Sequence, residues 1–290
     1  MSPLEALAQW NTRIKRTPLY QSYRNSVPYV ALKEWHKALR RRVNLRKYLG
    51  EEYCCPVCGT HLRAFKQTSG RYAKMLRRYG YAYPYSSIET LRGTRCPACD
   101  ASDRDRLYAL FLDDEFRSFD KRRTYRVVDF APTRGIQAKL KSCPFIAYRS
   151  ADLYWKSVDD QIDITDMHPY ADHSFDLFVC SHVLEHVVED RKAMKELFRI
   201  LRPGGFGIVM VPIVRGVDET HEDPEIKSPE FRWKYYGLDD HVRQYGKRDF
   251  VDRLTAVGFR VDQLGIDHFG KDAFRRADLA EDSVLYVVRK

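Results

Sequence analysis

The chain has 290 residues, enough to bury a sizeable core, and none of its apolar runs reaches the roughly 18 residues of a membrane-spanning helix. Its first residues, MSPLEALAQWNTRIKR, lack the apolar centre of a secretory leader, so the cytoplasm is the expected compartment. The net charge of +10 is uneven: residues 1–100 hold 19 Lys/Arg against 6 Asp/Glu, and residues 101–290 hold 31 against 34.

In chain order, residues 1–50 are expected to form a basic helical arm. Its segment KALRRRVNLRKYLG could follow a phosphate backbone, an acidic glycan or a membrane surface, and a solvated helical face explains the same charges equally well. Residues 51–101 contain five of the seven cysteines, in CCPVCG and RCPAC. Two Cys-x-x-Cys knuckles, Cys55/Cys58 and Cys96/Cys99, can present four thiolates tetrahedrally to a structural zinc ion, with all ligand positions filled. A thiol redox pair is the other reading. The 37 residues between the knuckles exceed the common spacing of about 15–20, and Cys54 leaves the register ambiguous. Cys143 and Cys180 read as small buried hydrophobes.

A helix begins near Ser102 or Asp103, and with it a catalytic domain over 102–290. Strands are predicted at 125–130, 145–151, near 161–164 and at 176–181 and 206–212, with helices near 134–141 and at 189–201. KRDFVDRLTAVG adds a helix, and FRVDQLGI and SVLYVVRK two further strands. This alternation predicts an α/β fold: a doubly wound, Rossmann-like, seven-stranded, mostly parallel sheet. Such a sheet binds its ligand at the carboxyl ends of its strands.

The first strand runs into DFAPTRG, where Ala131, Pro132 and Thr133 replace the glycines that close approach to a pyrophosphate requires. A dinucleotide is therefore disfavoured, whereas a cofactor without phosphates asks less of the loop. Asp152 ends the second strand, where an acid can accept hydrogen bonds from both ribose hydroxyls, and Asp163 follows the third, placed to meet an adenine edge. An adenosine-bearing, phosphate-free cofactor suggests S-adenosylmethionine.

At these residues, 102–290 resemble the class I S-adenosylmethionine-dependent methyltransferases. The most specific stretch is DHSFDLFVCSHVLEHVVEDRKAMKELFRILRPGGFGIVMVPI; DHVRQYGKRDFVDRLTAVGF resembles the family's late substrate-side loop and following helix. A bacterial subgroup with a zinc ribbon before the fold and an Ala-Pro first loop is the narrower likeness, carried by the ribbon, DFAPTRG, SHVLEH and HEDPE. The resemblance implies that Asp129 and Ala131 frame the loop near the methionine moiety and that Gly135 lets the following helix approach closely. Asp152 would hold the ribose, Asp163 and Ile164 flank the adenine, and Cys180, Ser181 and His182 lie below the transferred methyl.

His182 would act as general base, with an unperturbed pKa near ~6.5, and His241 from DDHVRQYG could reach the same place. If a helix starts after the fourth strand, His182, Glu185 and His186 share one face. The three could hold a divalent metal, or Glu185 and His186 could fasten the helix to the sheet. The fourth strand lacks the Asn/Asp-Pro-Pro-aromatic turn and the fifth a Pro-Cys pair, so methylation of DNA exocyclic amines or by a cysteine nucleophile is disfavoured. The expected acceptor is a hydroxyl, amine or carboxylate of a small molecule or saccharide, under a lid near 213–245 whose Trp233, Tyr235 and Tyr236 could stack on it. The alternative is an RNA methyltransferase or RNA-binding module that uses the arm and ribbon.

Overall fold

In the computed structural model, residues 45–290 are described, and Gly50–Lys290 pack as one compact unit. The expected arm lies almost wholly outside the described residues. Strands β1 (Leu49–Cys54) and β2 (His61–Leu62) pair with each other, as do β3 (Lys66–Gln67) and β4 (Thr94–Arg95). Between β3 and β4 lies helix α1 (Arg71–Tyr79), bounded by Gly70 and Gly80, both at positive φ.

Helix α2 (Asp103–Ser118) starts on a capping box: the Asp105 amide donates to the Ser102 hydroxyl, and the Ser102 amide donates to the Asp105 carboxylate at 2.8 Å. The sheet follows as β5 (Tyr125–Phe130), β6 (Ile146–Asp152), β7 (Asp160–Gln161), β8 (Phe175–Ser181), β9 (Leu201–Met210), β10 (Arg260–Leu264) and β11 (Leu285–Arg289). Its seven strands lie in the order β10-β11-β9-β8-β5-β6-β7, parallel except that β11 runs antiparallel to both neighbours. Helices α3 (Arg134–Lys141), α4 (Asp190–Ile200), α5 (Pro229–Tyr236) and α6 (Lys247–Val257) fall among these strands, and two short helices, Ile266–Phe269 and Lys271–Arg276, precede β11.

The predicted strands and helices stand within a few residues of their places, with one extension. β9 begins at Leu201, before Pro203-Gly204-Gly205, and the pairing with β8 shifts register between Phe175 and Leu177 to absorb the turn. Gly207 is required where it sits, because a Cβ there would come within 2.5 Å of three atoms of the Phe178 ring. β8 is buried over Phe175–Cys180, as expected for a strand covered on both faces.

Arg106 joins the segment before α2 to the turn that follows the helix Lys271–Arg276. Its side chain is fully buried, with Nε donating to Ala277 O at 2.6 Å and Nη2 to Asp278 O at 2.9 Å. Its other donors reach the Thr94 hydroxyl and carbonyl and the Ala101 carbonyl. The guanidinium also lies over the Phe65 ring, 4.1 Å from its centroid.

Candidate active site

β5 pairs with β6 on one side and β8 on the other, so the chain changes direction across the sheet at β5. Phe130 stands opposite both Ala151 and Cys180, and the next residue on each strand is Ala131, Asp152 and Ser181. The register therefore sets three predicted cofactor residues along one carboxyl edge. At this edge two non-glycine residues are left-handed: Ala131 (φ 49°) after β5 and His182 (φ 56°) after β8. Such backbone costs about 1–2 kcal/mol per residue and persists where surrounding bonds enforce it. Here Ala131 N donates to Ala151 O and His182 N to Met210 O.

The residues at this edge fit a nucleoside carrying an amino-acid tail. Thr133, in the N-cap position of α3, makes no cap bond, because its hydroxyl donates instead to Asp105 at 2.9 Å. The first amides of α3 are thus left for an incoming carboxylate. Asp129 is buried, accepts from the Tyr148 hydroxyl at 3.0 Å, and is raised to about 8 chiefly by burial, so it is protonated at neutral pH.

Asp152 uses Oδ1 on the amides of Tyr154 and Trp155, leaving Oδ2 without a partner among the described residues. Asp163 turns its Oδ1 to the amide and hydroxyl of Thr165, and Ile164 is buried. Ser181 shares a 2.7 Å hydrogen bond with Tyr108 of α2. Gly135 has a different neighbour from the one anticipated: a Cβ there would meet Val57 and Ala101 of the two knuckles at 3.2 and 3.3 Å. What approaches α3 closely is the cysteine-rich segment.

The expected α-helix over SHVLEH does not form. Residues Leu184–His186 make a single 3-10 turn, and α4 starts only at Asp190. Arg243 gives the physical reason. Its guanidinium takes the carbonyls of Leu184, Val187 and Val188, which a continuing helix would need, and Val242 N takes that of Glu185. These bonds carry His241 to Glu185, with Nε2 4.0 Å from Oε1, and stack His186 edge-on against His241.

His182 Nδ1 lies 3.1 Å from the same Glu185 oxygen. The imidazole is pushed down to about 4 by burial and by the Arg104 guanidinium, with Glu185 opposing, so it is uncharged at neutral pH rather than poised near its ordinary value. Burial pushes the Glu185 carboxyl up, but the surrounding imidazoles of His182, His241 and His186 outweigh it and hold it down to about 2.

Residues 117–209 match the family model described as a methyltransferase domain. This stretch is thus a methyltransferase domain, and it is similar to the class I S-adenosylmethionine-dependent enzymes. A probable S-adenosylmethionine-dependent methyltransferase of Mycolicibacterium smegmatis is 30% identical over 101 residues, covering 34% of this chain and 35% of the relative. The ubiquinone/menaquinone biosynthesis C-methyltransferase UbiE of Bdellovibrio bacteriovorus is 40% identical over 124 residues, covering 34% and 52%. A solved S-adenosylmethionine-dependent methyltransferase from Archaeoglobus fulgidus aligns over 63% of this chain and 93% of its own, at 14% identity and a TM-score of 0.41. The chain spans between about a quarter and a half of the length of the curated relatives it matches.

A cleft of 790 Å³, a size suited to a small ligand, includes in its lining Arg104, whose charge acts on His182. Its lining includes Tyr72, Met75 and Tyr79 of α1, Arg104 of α2 and Trp233 of α5. Tyr79 stacks on Trp233 at 5.4 Å and an 11° interplanar angle, and Leu76, Ile88 and Val214 pack with Trp233 in an apolar cluster. The long segment between the knuckles supplies most of this lining, and Ser102, Asp103, Arg104, Trp233 and Asp239 complete it. Among the lid aromatics, Trp233 lines this cleft. Tyr236 is buried with its hydroxyl on Asp223, and Tyr235 lies against the His221 ring. Arg104, Tyr108, Arg243 and α1 were not anticipated; the paired glycines at 70 and 80 were the available signal for α1.

The four predicted cysteines come together, with sulfurs all within 4.8 Å of one another. Cys55–Cys99 and Cys58–Cys96 sulfurs are each 3.8 Å apart, the edge length of a tetrahedron with bonds of about 2.3 Å. The two knuckles repeat one geometry: Gly59 N donates to Cys55 O and Asp100 N to Cys96 O, with Gly59 and Asp100 both left-handed. Cys54 belongs to β1 and stands outside the cluster, which resolves the register. This cluster could hold a metal ion.

Proposed function

We propose that this chain transfers the methyl group of S-adenosylmethionine to a small molecule seated in the cleft lined by α1, Arg104 and Trp233. The observation that carries this reading is the shared edge at which Ala131 and His182 turn away, because the strand register sets Ala131, Asp152 and Ser181 side by side there, next to Asp129 and the uncapped start of α3. The bound cofactor would supply an electrophilic methyl on a sulfonium. Asp152 would hold the ribose through Oδ2, Asp129 would meet the amino group, and the amides of α3 the carboxylate. His182, with Nδ1 directed at Glu185, would offer Nε2 as proton acceptor to a nucleophile oriented by the cleft, where alignment supplies much of the rate.

The cleft lining favours an acceptor with a ring face and a negative group: Tyr72, Tyr79, Tyr85 and Trp233 offer stacking surface, and Arg71, Arg92, Arg95 and Arg104 offer charge. The quinone named for the Bdellovibrio relative is one such ring-bearing class. The RNA reading rested largely on the basic arm, which lies almost wholly outside the described residues, and no described feature favours it over the cleft. The four cysteines would hold a structural zinc ion, supported by their sulfur spacing, with no position left open for catalysis.

The test is methyl-labelled cofactor with cell extract separated by size. Label is expected in the small-molecule fraction, unchanged by nuclease and by moderate salt. Label in nuclease-sensitive, salt-sensitive macromolecules would overturn the acceptor assignment.

A further inference from the structure

Glu185 is 1% exposed, and among the described residues neither carboxylate oxygen has a partner in hydrogen-bonding geometry. Burying a carboxylate in this way is strongly unfavourable unless a cation or a set of donors meets it. Besides His182 Nδ1, 3.1 Å from Oε1, what faces it are the imidazoles of His241 and His186. His241 Nδ1 sits 3.1 Å from the carbonyl of Tyr236, which can only accept, so the ring proton is at Nδ1 and Nε2 turns a lone pair toward Glu185 Oε1 across 4.0 Å. His186 repeats the arrangement, with Nδ1 3.3 Å from Asp240 Oδ1 and its ring perpendicular to that of His241 at 4.7 Å. One ligand atom from each of Glu185, His186 and His241 lies within 4.8 Å of the others.

From this we infer that Glu185, His186 and His241 bind a divalent transition-metal ion, distinct from any ion held by the four cysteines. One carboxylate and two neutral imidazoles form a donor set suited to zinc and its neighbours in the first transition row. Tyr236 O and Asp240 act as the outer partners that fix each imidazole's tautomer and leave Nε2 for the ion. Bonds of about 2.0–2.2 Å need the ligand atoms drawn closer than 4.8 Å, and the half-exposed His186 has room to turn inward. Arg243 and Val242 N clamp the Leu184–Val188 loop to the segment carrying His241, so two chain segments 55 residues apart are held in register for shared ligation. His182, 3.1 Å from Glu185 Oε1, stands beside this ion on the side of the expected methyl, and three protein ligands leave a coordination position open to an acceptor oxygen or water.

The test counts zinc on the full chain after stripping with chelator, reloading with Zn²⁺ and desalting. Glu185→Gln keeps the side-chain shape, and His186→Gln changes a half-exposed residue, so the second variant remains informative if the first folds poorly. The wild type is expected to hold one more zinc per chain than either variant, while a Cys96→Ser/Cys99→Ser chain keeps that same additional ion. Equal counts in the wild type and in either folded variant overturn the ligand set. No cofactor or acceptor enters the measurement, so its failure is separable from failure of the methyl-transfer reading.

Discussion

Replacing Arg106 by Met should destabilise the protein more than almost any other single change outside the sheet. The guanidinium is the only donor, among the described residues, to the carbonyls of Ala277 and Asp278, and it also serves the Thr94 hydroxyl and the face of Phe65. Each orphaned buried carbonyl costs about 1–3 kcal/mol, and the lost cation–π contact about 1–2 kcal/mol more. Relief from burying a charge offsets part of this, leaving a net loss of about 3–5 kcal/mol. For a domain of this size that is a fall in melting temperature of roughly 6–20 °C. Urea titrations followed by circular dichroism, with Arg106→Lys as a variant that keeps the charge but not the fork of donors, would measure it. The Lys variant is expected to fall between wild type and Met. If both variants unfold within about 0.5 kcal/mol of wild type, Arg106 is not what joins the cysteine-rich segment to the turn at Ala277 and Asp278, and the coupling has been misassigned.

Four further outcomes are expected. Binding of S-adenosylmethionine should release a proton near pH 7, because Asp129, held near 8 by burial, must ionise to meet an ammonium group; affinity then rises with pH below about 8. Calorimetry in buffers of different ionisation enthalpy reads this directly, and uptake instead of release would contradict it. Cys96→Ser/Cys99→Ser should lose one zinc by metal analysis and melt earlier, whereas a folded wild type without zinc would sink the thiolate site. His182→Ala should keep cofactor affinity while turnover falls by about 10²-fold or more, and near wild-type turnover would mean that the acceptor arrives deprotonated. Trp233→Ala, which opens the cleft wall, should raise the acceptor KM much more than it changes cofactor affinity.

The strands were legible because they are apolar runs of the right length, whereas their lateral order is set by long-range pairing. The cysteine cluster was legible because ligand spacing is written locally. What local pattern cannot contain is long-range capture. SHVLEH has helical spacing, yet Arg243 and Val242, more than 50 residues later, take the carbonyls a helix would use, and the resulting turn brings in His241 instead of aligning His182 with His186. Gly135 is expected to ease entry into α3, and its missing side chain also makes room for Val57 and Ala101 of the cysteine-rich segment, which local pattern does not show. His182 was assigned its ordinary pKa because neither its burial nor Arg104 is visible before α2 is docked.

The central claim is a cofactor site at the edge shared by β5, β6 and β8, and isothermal titration of the full chain with S-adenosylmethionine and its demethylated product tests it most directly. Asp152→Asn is the informative variant, since it keeps Oδ1 for the amides of Tyr154 and Trp155 and replaces only the free oxygen by a donor. One site per chain is expected in the wild type, weakened in Asp152→Asn by at least about 1.5 kcal/mol, or more than tenfold. A folded wild type that binds neither ligand, or an Asp152→Asn chain that binds both unchanged, would contradict the account.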